Sequence, residues 1–148
     1  MTIKELHTEH LQDSKAIKSG LRFNALLEAS RKKDISEETV DYINSLIEEI
    51  NMSSLTDKEW KKSVRRKQSR ILKRLEKEEK LVAKNHYQTL WMSIGMAVFG
   101  IPLGTVLGVA TDNMGLLGAG LPIGLAIGLA VGAAMDKKAE GEGRQLDF

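Results

Sequence analysis

The sequence predicts an all-α membrane protein, with cytoplasmic helices on the N-terminal side and a two-span transmembrane helical hairpin after them. Three observations carry that expectation. Residues 90–135 are apolar almost throughout, with Asp112 as the one formal charge. Seven glycines within that stretch recur at four-residue steps, three in its first half and four in its second. Basic side chains gather immediately before it, 12 against 5 acidic ones over residues 57–84.

Residues 1–56 read as a small cytoplasmic helical region, with 7 basic and 10 acidic side chains. Residues 1–13 are polar and expected to be frayed. His7 and His10 sit three apart and could share a helix face, but a catalytic zinc needs a third protein ligand and none is suggested nearby. The pair therefore reads as solvated, and no metal is expected. Residues 14–33 predict a helix whose apolar side is Ile17, Leu21, Phe23, Ala25, Leu26 and Leu27. Gly20 weakens that helix by about 1 kcal/mol relative to Ala, and Arg31, Lys32 and Lys33 suit its C-terminus. Asp34 with Glu37 reads as a capping box that opens a second helix. Val40, Ile43, Leu46, Ile47 and Ile50 give that helix a clean stripe, and residues 51–55 break it. These two helices are expected to close into a helical hairpin.

Residues 57–89 read as a basic juxtamembrane helix, opened by a capping box of Thr56 and Glu59. Trp60, Val64, Ile71, Leu75 and Val82 form a thin apolar stripe on it. No Pro or Gly intervenes before Gly95, so the helix is free to run on into the first span. Its basic run is Lys61, Lys62, Arg65, Arg66, Lys67, Arg70, Lys73 and Arg74. Such a run can neutralise nucleic-acid phosphates, lie against anionic lipids at about 1 kcal/mol per residue near the surface, or serve as a solvated face that fixes topology. The last two are favoured, because the run is juxtamembrane and no aromatic residues interleave to stack bases. Nucleic acid is not an expected partner.

Residues 90–135 are one crossing too long for a single span, since a bilayer core of ~30 Å takes about 20 residues of helix. They divide into spans at 90–110 and 115–135 around a tight turn at 111–114. In the first span Gly100, Gly104 and Gly108 fall in one row, and in the second Gly120, Gly124, Gly128 and Gly132 do. Small residues let helix backbones approach closely in lipid, where little hydrophobic drive pairs helices. The pentapeptide Gly-Ile-Pro-Leu-Gly at 100–104 returns as Gly-Leu-Pro-Ile-Gly at 120–124. Folding the chain at Asp112 sets Gly100 level with Gly124, Gly104 with Gly120 and Pro102 with Pro122. Each proline removes one backbone hydrogen bond, so matched kinks are expected near mid-membrane. Tyr87 and Trp91 fall where amphipathic rings anchor at the membrane interface. Ala126 and Ala130 form a second small face on the second span, so a homo-oligomer is expected.

The segment around residues 99–138 resembles the glycine-zipper membrane proteins of bacteria. The resemblance implies a glycine-zipper transmembrane hairpin in the bacterial inner membrane and says little about activity. Lys80 and Lys84 precede the first span, Lys137 and Lys138 follow the second, and the turn carries no basic residue. Both ends are therefore expected in the cytoplasm, with residues 136–148 as a cytoplasmic tail. The N-terminal residues lack the apolar run of a cleaved signal peptide.

No enzymatic constellation is visible: no Gly-rich loop follows a strand, no cysteine is present, and the mid-membrane region lacks an ionisable group. No cofactor is expected. The first functional reading is a non-enzymatic membrane anchor or scaffold that self-associates and presents its cytoplasmic helices to a protein partner. The alternative is an oligomeric pore-forming or membrane-perturbing effector gated by those helices. Ser93 and Thr105 are too few to line an aqueous pore and suit bonding to backbone carbonyls, which favours the first reading.

Overall fold

The computed structural model describes residues 2–148. In chain order the elements are α1 (Ser14–Arg31), α2 (Glu37–Asn51), α3 (Asp57–Glu79), β1 (Val82–Ala83), α4 (His86–Gly95), a π-helical turn (Met96–Gly100), α5 (Ile101–Ala110), a 3-10 segment (Met114–Ala119), α6 (Gly120–Gly141) and β2 (Gln145–Leu146). The two short strands form a two-stranded sheet. The chain divides into two compact units. One runs to Ala83 and takes back Leu146–Phe148, and the other is Lys84–Gln145.

The first unit is built on α3, which packs on both α1 and α2. The helical hairpin expected of α1 and α2 gives way to this arrangement. The reason is the stripe of α3, where Trp60, Val64, Ile71 and Leu75 are all buried and offer both helices an apolar face. Phe23, Leu26 and Leu27 come in from α1, and Val40, Ile43, Leu46, Ile47 and Ile50 from α2. Each such side chain, fully buried, contributes about 1.5–3 kcal/mol. Leu21 and Ala25, expected on the apolar side of α1, face outward. Gly20 marks a close approach: a Cβ there would lie 2.5 Å from Thr8 Cγ2 and 3.0 Å from the Trp60 ring.

Residues 2–11 are not frayed. Ile3, Leu6 and Leu11 are core residues, and three asparagine side chains hold the backbone of residues 2–7. Asn44 accepts from the Lys4 N–H at 2.8 Å and donates to the Thr2 carbonyl at 3.2 Å. Asn51 does the same between the His7 N–H (3.0 Å) and the Glu5 carbonyl (3.1 Å). Asn24 from α1 pairs with both backbone groups of Leu6, at 3.2 and 3.1 Å. Arg31 donates to the Ile3 carbonyl from Nε (3.1 Å) and Nη2 (2.7 Å). The segment thus bridges α1 and α2. His7 and His10 are both exposed, and the His10 ring meets Trp60 edge-on at 6.0 Å.

Two helix boundaries also differ from expectation. The N-cap of α2 is Ser36, not Asp34, because Ser36 is engaged by Glu79: its N–H and its hydroxyl donate to Oε1 at 3.2 and 2.5 Å. Burial pushes the Glu79 carboxyl up, but hydrogen bonds from Ser36 and Thr39 outweigh it and hold the group below its ordinary value. At the other end, α3 does not run on toward the first apolar span. Lys80 takes a left-handed conformation (φ 58°) that stops the helix, with the Leu81 N–H donating to the Leu75 carbonyl at 3.1 Å. Val82 is buried as expected, but in β1 and not on the helix. The capping box of Thr56 and Glu59 forms as predicted.

The last residues are more than a tail. Leu146 is fully buried in the first unit's core, and Phe148 packs against that core.

Candidate functional site in a helical hairpin closed on glycine

The second unit is a pair of helical arms, His86–Ala110 and Met114–Gly141, of 25 and 28 residues. Each is long and apolar enough to cross a membrane. The arms contain the predicted segments 90–110 and 115–135 and continue beyond them at the open end.

Between residues 84 and 135 every buried residue is a glycine. These are Gly95, Gly100, Gly104 and Gly108 on one arm and Gly120, Gly124, Gly128 and Gly132 on the other. The large apolar side chains point outward, among them Val98, Phe99, Val106, Leu121, Ile123 and Leu129. Backbone meets backbone across the contact. A Cβ on Gly124 would lie 2.5 Å from both the Gly100 N and the Gly95 O. One on Gly120 would overlap the Gly100 carbonyl and the Gly104 N–H. One on Gly104 would strike the Leu117 carbonyl, one on Gly128 the Trp91 carbonyl, and one on Gly132 the Gln88 Cα. Gly108, beside the turn, is the loosest of the set, its nearest neighbour being 3.7 Å away.

Gly95 was not anticipated in this row, because it lies five residues before Gly100 where α-helical spacing takes four. The π-helical turn supplies the missing residue. Over Met96–Gly100 the hydrogen bonds step by five, ending with the Ile101 N–H on the Met96 carbonyl. Pro102 is the local cause, since it has no N–H for the Val98 carbonyl and the α pattern cannot continue through it.

Both prolines lie where the helix type changes. Pro102 opens α5 after the π turn, and Pro122 lies in the first turn of α6 after the 3-10 segment, where a missing N–H costs little. The π turn also shifts the register. It takes an extra residue into the first arm at Met96–Gly100, so below it the second arm meets residues earlier in the chain than straight pairing gives. Near the turn Gly120 sits by Gly104 and Gly124 by Gly100, but lower down Gly128 meets Trp91 and Gly132 meets Gln88. The straight register would have given Met96 and Met92.

The turn is closed by its own backbone. Asp112 is left-handed (φ 50°), the Asn113 N–H donates to the Gly108 carbonyl at 3.0 Å, and the Asn113 side chain accepts from the Gly115 N–H at 3.0 Å.

The open end carries a feature that sequence reasoning missed. Asp136, placed by spacing at the start of the tail, lies inside α6 and is 6% exposed. Its carboxylate accepts from the Tyr87 N–H at 3.1 Å and the Gln88 N–H at 2.8 Å. It thus caps the N-terminus of α4 from the other arm, pairing two of that helix's orphan donors and facing the positive end of its dipole. Tyr87 and Trp91 are half-buried at this same end. The Ser93 and Thr105 hydroxyls donate to the carbonyls of Thr89 (3.3 Å) and Ile101 (2.9 Å).

In the first unit the basic run on α3 divides by direction. Lys67 is buried on the apolar stripe and pairs with Glu49, which its hydrogen bond and charge hold below the ordinary carboxylate range. Arg74 pairs with Glu38, which raises it, and lies over the Tyr42 ring. Both cations are thus committed to α2. Lys62, Arg65, Arg66, Arg70 and Lys73 are exposed and Lys61 is half-buried.

These features define a class: a mostly helical chain with two helices, each apolar and long enough for a membrane crossing, closed on one another through glycine. No protein family, curated protein or solved structure matches the chain.

Proposed function

We propose that this protein is a non-enzymatic integral membrane anchor or scaffold. Its two arms span the membrane as a glycine zipper, self-associate, and present the helical first unit to a partner in the cytoplasm. The observation that carries this reading is the inverted burial of the hairpin. Glycine is inside and Val, Leu, Ile and Phe are outside over some fifty residues (84–135), an arrangement water disfavours and lipid rewards. The resemblance to the bacterial glycine-zipper proteins makes the membrane the bacterial inner membrane. The lysines at 80, 84, 137 and 138, with none in the turn, put both termini on the cytoplasmic side. Ala126 and Ala130 are exposed and small, and so offer a second face to a neighbouring copy.

A pore is the less favoured reading, because the Ser93 and Thr105 hydroxyls are spent on backbone carbonyls. Two measurements test the anchor. After alkaline carbonate washing of native membranes the protein stays in the pellet and is released by detergent; release by carbonate alone would refute membrane insertion. Liposomes carrying the purified chain hold an entrapped dye as protein-free liposomes do, whereas rapid leakage would replace the anchor with the pore.

A further inference from the structure

Helices α1 and α3 flank an open, solvent-facing cleft of about 580 Å³ on the first unit. Its walls carry Lys15, Lys18 and Arg22 from α1 and Lys61 and Arg65 from α3, five cations and no carboxylate. The spacing explains the convergence. Positions 15, 18 and 22 share one face of α1, and 61 and 65 are one turn apart on α3. Ser19, Gln68 and Ser69 add neutral donors, and Leu72 supplies an apolar patch. Among the described residues none of the five cations forms an ion pair.

The other flank of α3 shows what an ordinary structural face of this helix looks like. There Lys67 pairs with Glu49 and Arg74 with Glu38, and the cleft holding Lys62, Arg66 and Arg70 also contains Glu59. On the α1 flank the facing helix answers cations with more cations. Like charges gathered on two facing helices repel one another, and a bound anion relieves that repulsion. The cleft is of small-ligand size, and its two arginines can each grip a phosphate through a planar fork.

We propose that the α1–α3 cleft is a binding site for a ligand carrying clustered phosphate groups. Two sources share that chemistry: the phosphate headgroups of anionic lipids gathered in a membrane surface, and a soluble polyphosphorylated compound. Six residues separate the end of α3 from the first apolar arm, which makes lipid headgroups the phosphates at hand. The source, though not the site, rests on the membrane reading above.

The test uses the full chain in a zwitterionic detergent with inorganic tripolyphosphate as the probe, and reads lysine acylation by mass spectrometry. Tripolyphosphate should protect Lys15, Lys18 and Lys61 while leaving Lys32 and Lys58, both exposed and outside the cleft, reactive. The double variant Lys18→Gln/Arg65→Gln should weaken that affinity by about tenfold or more. The charge-matched Lys32→Gln/Lys58→Gln should not change it. In low salt without ligand the cleft variant should melt at a higher temperature than the parent, because repulsion has been removed; this also shows that it folds. Equal protection of all five lysines, equal loss in both variants, or protection by neither tripolyphosphate nor phosphatidic acid would overturn the site, whether or not the chain is a membrane protein. Stronger protection by a single-stranded oligonucleotide would also overturn it, in favour of a nucleic-acid surface. A second arm compares phosphatidylcholine nanodiscs with and without phosphatidic acid. Protection by phosphatidic acid alone assigns the lipid source, and protection by soluble tripolyphosphate alone assigns the soluble one.

Discussion

A single carboxylate joins the two arms of the hairpin at their open end. Asp136 is nearly buried, and the backbone N–H groups of Tyr87 and Gln88 are its partners. An N-cap side chain is worth about 1 kcal/mol, and here the cap also ties one arm to the other. Asp136→Ala should therefore cost about 1–2 kcal/mol. Amide exchange at Tyr87 and Gln88 should accelerate first, while Asp136→Asn, which keeps one acceptor oxygen, should be milder. Unchanged exchange at both amides in Asp136→Ala would remove the cap from the account. Nothing in the local sequence marks this role, because Asp136 lies in a polar run and its partners are about fifty positions earlier. Lys80 was hidden for a different reason: lysine is a good helix former, and its left-handed conformation answers to packing at the end of α3 and not to its own preference.

At the scale of elements, the parts governed by periodicity were the most legible. The stripe of α2 is buried at every predicted position, and the Thr56–Glu59 box opens α3. The rows of glycine at 100, 104 and 108 and at 120, 124, 128 and 132 line the buried face of the arms. Sequence reading stopped where non-α geometry entered. Gly95 fell outside the four-residue rule until the π turn restored it to the row, and the same turn moved the register below it. The N-terminal segment was missed because Ile3, Leu6 and Leu11 follow no single period. Their docking depends on asparagines on two other helices. The glycine contact itself makes a sharp prediction. Gly124→Leu drives a branched side chain into the Gly95–Gly100 backbone and should cost about 1–2 kcal/mol of helix association. Leu125→Ala, at a half-buried position, should cost far less. Oligomer size in mild detergent and thermal aggregation in membranes report both. Identical behaviour of the two variants would reduce the glycine row to composition.

At the scale of the whole molecule, charge is segregated along the chain. Residues 1–56 carry a net charge of −3, residues 57–84 carry +7, and the hairpin and the residues after it carry −1 each. In the account above that asymmetry holds both ends of the chain on one side of a membrane while the turn at Thr111–Asn113 crosses it. The parent has no cysteine, so single cysteines report position without interference. Placed at Ser54, Asn113 or Gly141, all exposed, they can be challenged in intact cells with a thiol reagent that does not cross the inner membrane. The account predicts labelling at Asn113 alone, with Ser54 and Gly141 reacting only after lysis. Labelling of Ser54 or Gly141 in intact cells, or protection of Asn113, would contradict it.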